Sequence, residues 1–464
     1  MRPKRWLATA VVAMVLNAAA AHRAFGEPAD AAPSPALGAT LPSTPAGKQL
    51  AWYIDALNGR VELGDPAERF TPEFLKAVPA ERVKQLTQQL RSSAFKSGAM
   101  VESVRPGGGD NELVAAVRGA AVLEVSISVD ADGKINGLLI RPPAPPKSPF
   151  AAWTDLDARL KGMPGSVSFA ASRVTINETG EPTLRDVHTF NPDRCQAIGS
   201  TFKLWVLGAL AEKVLAKQAS WDEKLAIQSE LKSLPNGEMQ NRAPGSEFPV
   251  SEYAAKMISI SDNTATDHLL AFVGRDTVEA YQAARNSCAE KTTPFLSTME
   301  MFRIKLASDP SLVTRYADAD AAGRRALISG KESEVAKTVP NLAAAAAWKN
   351  PIAIDRVEWF ASARDCCKAI AWLHAIEKRE GMSELSRVMR INPGMSVDKK
   401  VWKSVAFKGG SEPGVLNLTW LLERDDGAFF AVSIGWNDTE KPVDQNALIA
   451  TASGIVDLLA KSER

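Results

Sequence analysis

The sequence predicts a multi-domain α+β protein: a small α+β domain, then a larger one built of buried helices and a C-terminal antiparallel hairpin. Three observations predict it. The run Arg141-Pro142-Pro143-Ala144-Pro145-Pro146-Lys147-Ser148-Pro149 holds prolines that exclude helix and remove sheet donors. Before that break, helical spacing gives way to strand alternation, so helices are followed by a meander. After it come apolar helical runs and, near the C-terminus, two strands around the turn Asp425-Asp426-Gly427.

The chain starts Met1-Arg2-Pro3-Lys4-Arg5, followed by mostly apolar or small residues from Trp6 to Ala21. A basic start, a short apolar stretch and small residues at Ala19-Ala20-Ala21 or Ala24-Phe25-Gly26 read as a secretory signal peptide over residues 1–26. The apolar run is shorter than the roughly 20 residues a spanning helix needs. Export to the periplasm or medium is therefore expected, with no stable membrane insertion. Residues 27–47 are Ala/Pro/Ser-rich and read as a flexible tether.

The small domain is expected over 48–141. Leu50, Ile54 and Leu57, with Trp52 and Tyr53, have helical spacing, and more helix is expected from Phe70 to Leu90. Strands follow at Met100–Val104, Leu113–Val117 and Val122–Val129. Asp130-Ala131-Asp132-Gly133 then turns into Ile135–Ile140. No acid/base constellation lies in this stretch, so a supporting or substrate-gating role is expected of it. Residues 142–150 form the linker and 151–464 the large domain.

Composition narrows the functions. The 464 residues carry 55 Lys and Arg against 54 Asp and Glu, a net charge of +1, with 45% apolar and 23% charged residues. Steering to nucleic acid by bulk charge is excluded. The four histidines and four cysteines are scattered, with no C-x-x-C or H-x-x-x-H spacing, so neither a metal nor another cofactor is expected. An exported protein permits disulfides, but four cysteines allow three pairings and spacing does not choose among them.

Three motifs in the large domain carry chemistry. Gly199-Ser200-Thr201-Phe202-Lys203 opens the apolar run Leu204–Leu210, which reads as a buried helix with Ser200 in its first turn. Residues three apart share a helical face, so Lys203 can reach Ser200. A serine hydroxyl needs a base, and a buried Lys, its pKa pushed down, can serve. Other S-x-x-K runs (Ser93/Lys96, Ser229/Lys232, Ser396/Lys399) lack that helix mouth. Ser261-Asp262-Asn263 follows an apolar helix and precedes another from Thr264 to Phe272. It reads by itself equally well as an N-cap cluster. Phe407-Lys408-Gly409-Gly410-Ser411 leads into the C-terminal hairpin. Lys408 is expected at the end of an inner strand, with glycines that let a substrate approach the backbone.

Order and spacing tie the three together. Ser261 follows Ser200 by 61 residues and Lys408 follows Ser261 by 147. From about residue 151 onward the chain resembles the serine β-lactamase and penicillin-binding-protein superfamily, nearest class A, whose signature is S-x-x-K, S-D-N and K-T-G. The resemblance implies a β-lactamase/transpeptidase-like domain, an antiparallel sheet with a helical half. It also implies roles. Ser200 is the acylating nucleophile and Lys203 its proton acceptor. Ser261 relays the proton to the leaving group, and Lys408 holds a substrate carboxylate beside it. Asn263 bonds a substrate carbonyl, Ser200 and Ser411 supply oxyanion N–H groups, Gly410 lines the substrate, and Asp262 braces its turn.

Two features depart from the pattern. Gly409 replaces the middle Thr of K-T-G, leaving Ser411 as a substitute hydroxyl. The class A deacylating Glu, about 36 residues beyond the S-D-N serine, has no counterpart in context; Glu300 and Glu358 are the nearest candidates. The Ser261–Lys408 interval is about 40 residues longer than usual for the family. The excess falls near 307–355, an Ala- and charge-rich stretch expected to be helical. The linker and small domain resemble two-domain β-lactamase-like proteins of clavulanic-acid gene clusters, whose first domain is isomerase-like (NTF2-like).

The function implied is an exported monomeric serine hydrolase that forms an acyl-serine with β-lactams or related amides and esters and deacylates slowly. A non-hydrolytic β-lactam or peptidoglycan-peptide sensor and a D,D-carboxypeptidase are the alternatives.

Overall fold

The computed structural model describes residues 40–462 except 97, 108, 120–121, 142–149, 234–235, 331 and 340–347. The expected signal segment, most of the tether, almost all of the linker and the Ala343–Ala347 run lie outside the described residues. The chain divides into two compact units, Met1–Ala144 and Pro145–Arg464.

In the first unit, α1 (Pro45–Leu57) opens inside the stretch read as tether. Thr44 caps it, accepting from the Gly47 N–H at 3.2 Å, and Pro45 occupies the first helical position. α2 (Pro72–Ala77) and α3 (Ala80–Ser92) follow. Strands β1 (Met100–Pro106), β2 (Glu112–Arg118), β3 (Val122–Val129) and β4 (Ile135–Arg141) pair antiparallel in chain order, as the alternation predicts. Alternate residues of β2 and β3 (Leu113, Ala115, Val117, Leu123, Val125, Ile127, Val129) turn inward onto Leu50, Ile54, Leu57, Phe70 and Phe74.

The second unit begins with α4 (Trp153–Lys161), β5 (Ser166–Ile176), β6 (Pro182–Phe190), the short β7 (Gln196–Ala197) and α5 (Lys203–Leu215). Then come β8 (Lys224–Ala226), β9 (Glu247–Pro249), α6 (Val250–Ser259), α7 (Asn263–Val273), α8 (Arg275–Ala283) and α9 (Thr298–Lys305). The expected insertion carries three short helices among its described residues: α10 (Ser311–Asp318), α11 (Ala321–Ile328) and α12 (Glu334–Lys337). β10 (Phe360–Ala361), α13 (Ala363–Glu377), α14 (Ser383–Arg390), β11 (Trp402–Glu412), β12 (Val415–Arg424), β13 (Phe429–Asn437) and α15 (Gln445–Ala460) complete it.

Its main sheet is antiparallel throughout, in the order β11-β12-β13-β5-β6. The C-terminal hairpin strands are closed off on one side by β5, so Lys408 does not end an inner strand. It lies midway along β11, an edge strand bonded on one side to β12 and packed on the other against the turn that carries Ser200. Residues 203–211 of α5 are buried on every face, as befits a helix apolar all round. α13 lies between α5 and the sheet, touching β5, β12 and β13. Trp205, 1% exposed, and Phe202 belong to the core formed there. Truncating such a residue to Ala typically costs about 3–5 kcal/mol, so the helix that positions the motif is firmly seated.

Candidate active site

Ser200 sits in a 3-10 turn, Gly199–Phe202, that runs directly into α5, whose first residue is Lys203. The turn is fixed from several sides. Asn437, at the end of β13, clasps Ala197: its Oδ1 accepts from the Ala197 N–H at 2.8 Å and its Nδ2 donates to the carbonyl at 3.0 Å. Cys195 forms a disulfide with Cys288, while Cys366 and Cys367 are buried free thiols of α13. The Ile198 N–H donates to the Trp359 carbonyl at 3.0 Å. The Trp359 ring stacks on Phe202 with centroids 3.8 Å apart, and Phe295 meets Phe202 edge-on.

β11 comes unusually close to this turn. A Cβ on Gly410 would lie 2.1 Å from the Ile198 carbonyl oxygen and 2.4 Å from the Ser200 nitrogen. Gly199, at φ +48°, would place its own Cβ 2.9 Å from the Ser411 nitrogen. Gly410 thus serves the approach of strand to turn, and that approach brings Ser411 beside the Ser200 backbone.

The Ser261-Asp262-Asn263 turn joins α6 to α7 and supplies the third wall. Asp262 accepts from the N–H groups of Glu238, Met239 and Ala265, capping α7 and bracing the preceding loop, as expected of it. Ser261 adopts φ +59°, a left-handed conformation costly for a residue with a Cβ. Asn236 secures it, donating to the carbonyls of Ile260 at 3.0 Å and Ser261 at 3.1 Å, while the Asn236 carbonyl accepts from the Asn263 N–H.

Four of the sequence-predicted side chains meet here. Lys203 Nζ donates to the Ser261 carbonyl (2.7 Å), Ser261 Oγ (3.0 Å) and Asn263 Oδ1 (2.8 Å). Lys408 Nζ donates to the same Ser261 Oγ at 3.0 Å and to the Gly409 carbonyl. Both lysines are almost fully buried. Burial pushes Lys203 down to about 7, against the pull of Asp262 and Asp267. Burial, reinforced by the neighbouring Lys203 charge, holds Lys408 well below the usual lysine range. Ser200 is half-buried, and among the described residues no hydrogen bond joins its hydroxyl to Lys203. A hydroxyl, two amines that lose their protons readily and a second hydroxyl can together support nucleophilic attack and proton relay.

The two acids considered for deacylation are both engaged elsewhere. Glu300 belongs to the capping box of α9. One oxygen accepts from Arg275 at 2.7 Å, the other from the Ser297 N–H at 2.8 Å. Glu358 is buried, accepting from Lys305 at 3.1 Å and from the Trp359 N–H at 3.0 Å. Where the chain passes Asn263, the residue at hand is Thr298, whose hydroxyl lies 3.3 Å from the Asn263 carbonyl and 2.7 Å from Asp267. Burial pushes Asp267 up to about 6, despite hydrogen bonds from Met299 and Thr298.

Sequence reasoning missed Asn236, Asn437, Asp267, Thr298 and Trp359. A run from Pro294 to Glu300 and the polar positions of α7 were visible. Only their convergence on the turn makes them relevant. Among the described residues, no group of three His, Cys, Asp or Glu side chains could hold a metal ion, and no helix is long and apolar enough to cross a membrane.

Comparison with known proteins decides the family. The model of the β-lactamase enzyme family matches residues 154–456, nearly the whole second unit and the site just described. The chain belongs to the β-lactamase enzyme family. Residues 41–135 match the model described as ORF 12 gene product N-terminal. No curated protein sequence matches the chain. Among solved structures, a β-lactamase from Sphaerobacter thermophilus is similar at 18% identity, covering 67% of this chain and 96% of that one, with a TM-score of 0.42. A point mutant of PBP-A, an acyl-enzyme complex with penicillin G, is similar at 13% identity, over 66% and 94%, with a TM-score of 0.42. A β-lactamase from Chitinophaga pinensis is similar at 15% identity, over 67% and 98%, with a TM-score of 0.42. Residues 154–456, nearly the whole second unit, thus form the β-lactamase-family domain of this chain.

Proposed function

We propose that this protein is an exported serine hydrolase that forms an acyl-Ser200 intermediate with β-lactams or related amides and esters, and releases it slowly. The observation that carries the reading is the shared Ser261 hydroxyl, bonded by two buried lysines beside the Ser200 turn.

In this reading neutral Lys203 takes the Ser200 proton as Oγ attacks the carbonyl carbon, forming the C–O bond. The Ser200 and Ser411 N–H groups stabilise the oxyanion, a contribution of roughly 2.7–4 kcal/mol per donor where one oxyanion-hole donor has been removed from a serine hydrolase. Ser261 then passes a proton to the leaving nitrogen as the C–N bond breaks, and Lys203 resupplies it. Lys408 keeps the Ser261 oxygen in place and faces the incoming substrate carboxylate, whose negative charge favours the protonated amine. Because Asn263 Oδ1 accepts from Lys203, its Nδ2 is the end presented to a substrate carbonyl.

Slow deacylation is supported by the commitments of Glu300 and Glu358, which leave neither as a ready base for water. The same observation favours a second reading, a sensor that keeps the acyl group. The disulfide suits an oxidising, extracytoplasmic compartment.

Intact-protein mass spectrometry after mixing with penicillin G and a cephalosporin tests this. An adduct absent from Ser200→Ala is expected, decaying over many minutes. A persistent adduct selects the sensor, release of D-Ala from a stem-peptide mimic selects the carboxypeptidase, and no adduct with any β-lactam or activated ester sinks acylation.

A further inference from the structure

Three buried charged side chains lie outside the proposed chemistry yet next to it. Lys305 is the last residue of α9 and Glu412 the last of β11, one residue beyond Ser411. Glu358 immediately precedes the Trp359 that stacks under the Ser200 turn. The Lys305 ammonium contacts Glu412 at 2.5 Å and Glu358 at 3.1 Å, and the three side chains are 0%, 5% and 0% exposed in the order Lys305, Glu412, Glu358. Charges taken so completely out of water are costly unless fully matched, so a triad of this kind makes a poor mere staple.

Its composition is matched. Burial, with the Glu358 charge beside it, pushes the Glu412 carboxyl well above the usual glutamate range, and a hydrogen bond joins the two acids. One ammonium thus stands between two acids that are themselves joined. Burial alone would lower Lys305, but the two acids outweigh it and keep it charged.

Its placement is also specific. α9 starts at Thr298, bonded to Asn263 and Asp267, and ends at Lys305. The helix therefore runs as a strut from the S-D-N wall of the site to the end of β11. β11 is an edge strand, bonded to β12 on one side and packed against the Ser200 turn on the other, and beyond Glu412 it turns at once through Gly414. Glu412 is the last residue of β11 before that turn, and its ion pair with Lys305 ties this end of the strand to α9.

We propose that Lys305, Glu358 and Glu412 are positioning residues that lock the Ser411 end of β11 to α9 and so set the Ser411 N–H against Ser200 for oxyanion binding. This inference rests on the acyl-serine reading. The lock acts after substrate is bound, when the carbonyl oxygen becomes an oxyanion, so it governs the acylation rate more than initial affinity.

The test measures acylation by a fluorescent penicillin on the full chain, separating the first-order acylation rate from the dissociation constant of the preceding complex. Glu412→Ala and Lys305→Met are expected to lower the rate by about 10²-fold, the loss typical of a misplaced donor, and to change the dissociation constant by less than about threefold. Glu412→Gln, which keeps the shape, an oxygen for Lys305 and a donor for Glu358, is expected to restore the rate to within about threefold of the original. Should Glu412→Ala fail to fold, Glu412→Asp keeps the acid but shortens its reach and is expected to slow acylation at least about tenfold. Glu377→Gln is the control: Glu377 belongs to another buried ion network, with Arg390 and His374, and its loss should lower the melting temperature without touching acylation. Unchanged acylation in folded Glu412→Ala or Glu412→Asp overturns the positioning role alone. So does an equal fall in Glu377→Gln. An original protein that takes no adduct overturns both this role and the acyl-serine reading.

Discussion

The two units of this chain keep their charges differently. In the first, the interior is apolar, and its principal ionic contact, Glu124 with Arg105 and Arg141, rests on arginines that are 61% and 46% exposed. In the second, Lys203, Lys305, Glu358, Asp267 and Lys408 are all buried. Burying an ionisable group costs several kcal/mol unless it is matched. A fold that does so repeatedly around one turn gives up stability for chemistry, whereas the small unit folds as an ordinary domain. In the proposed reading the chemistry belongs to the second unit, and the difference can be broken or sharpened experimentally.

The largest effect is expected from Lys203. Lys203→Met should lower the acylation rate by about 10²–10⁴-fold, the usual contribution of a positioned base, measured by adduct formation. In the unsubstituted protein the rate should rise with pH through about 7, because the neutral amine is the acceptor and burial holds it there. A flat profile between pH 5 and 9 would show that another group takes the proton.

Next in size is Gly410→Ala. Its Cβ would lie 2.1 Å from a backbone oxygen, so β11 must move off the Ser200 turn. Acylation should fall by about 10²-fold, with roughly 1–3 kcal/mol of stability lost by denaturant titration. A variant that acylates normally would show that close approach is dispensable.

In the first unit, Leu50→Ala removes a fully buried side chain of α1. It should destabilise that unit by about 2–5 kcal/mol while adduct formation by the chain continues at its normal rate. Lost acylation would break the comparison by giving the small unit a part in the chemistry.

The smallest effect is expected from Glu124→Gln, at most about 1 kcal/mol, because its arginine partners are half in water. Burial alone would raise the Glu124 pKa, but hydrogen bonds from Arg105 and Arg141 outweigh it and lower it. The folded state then favours the ionised form, so its contribution is present above the usual glutamate range and fades as pH falls through the lowered value. Thermal melts at pH 7 and pH 3 measure it.

Much of this arrangement is legible in one dimension. Alternation within 113–129 yields the meander, an all-apolar run yields the buried α5, and S-x-x-K, S-D-N and K-G-G in order yield the walls of the site. Other parts are not. β5 and β6 carry no motif, and only the sheet order reveals that the hairpin β12–β13 lies inside, between β11 and β5, while the strand that carries Lys408 is the edge. Glu300 and Glu358 look alike as candidate bases in sequence. Their partners, Arg275 and Lys305, decide their fate, and neither is near its partner along the chain.

The sequence by itself determined which groups are present and which local elements carry them, because helix faces, caps and turns depend on residues a few positions apart. Only the tertiary structure decided that Lys408 stands on an edge, that two lysines share one hydroxyl, and that a buried triad anchors the strand beside Ser411. Those outcomes depend on burial and on charges brought together from distant segments, and solvent exclusion is a property of the folded whole.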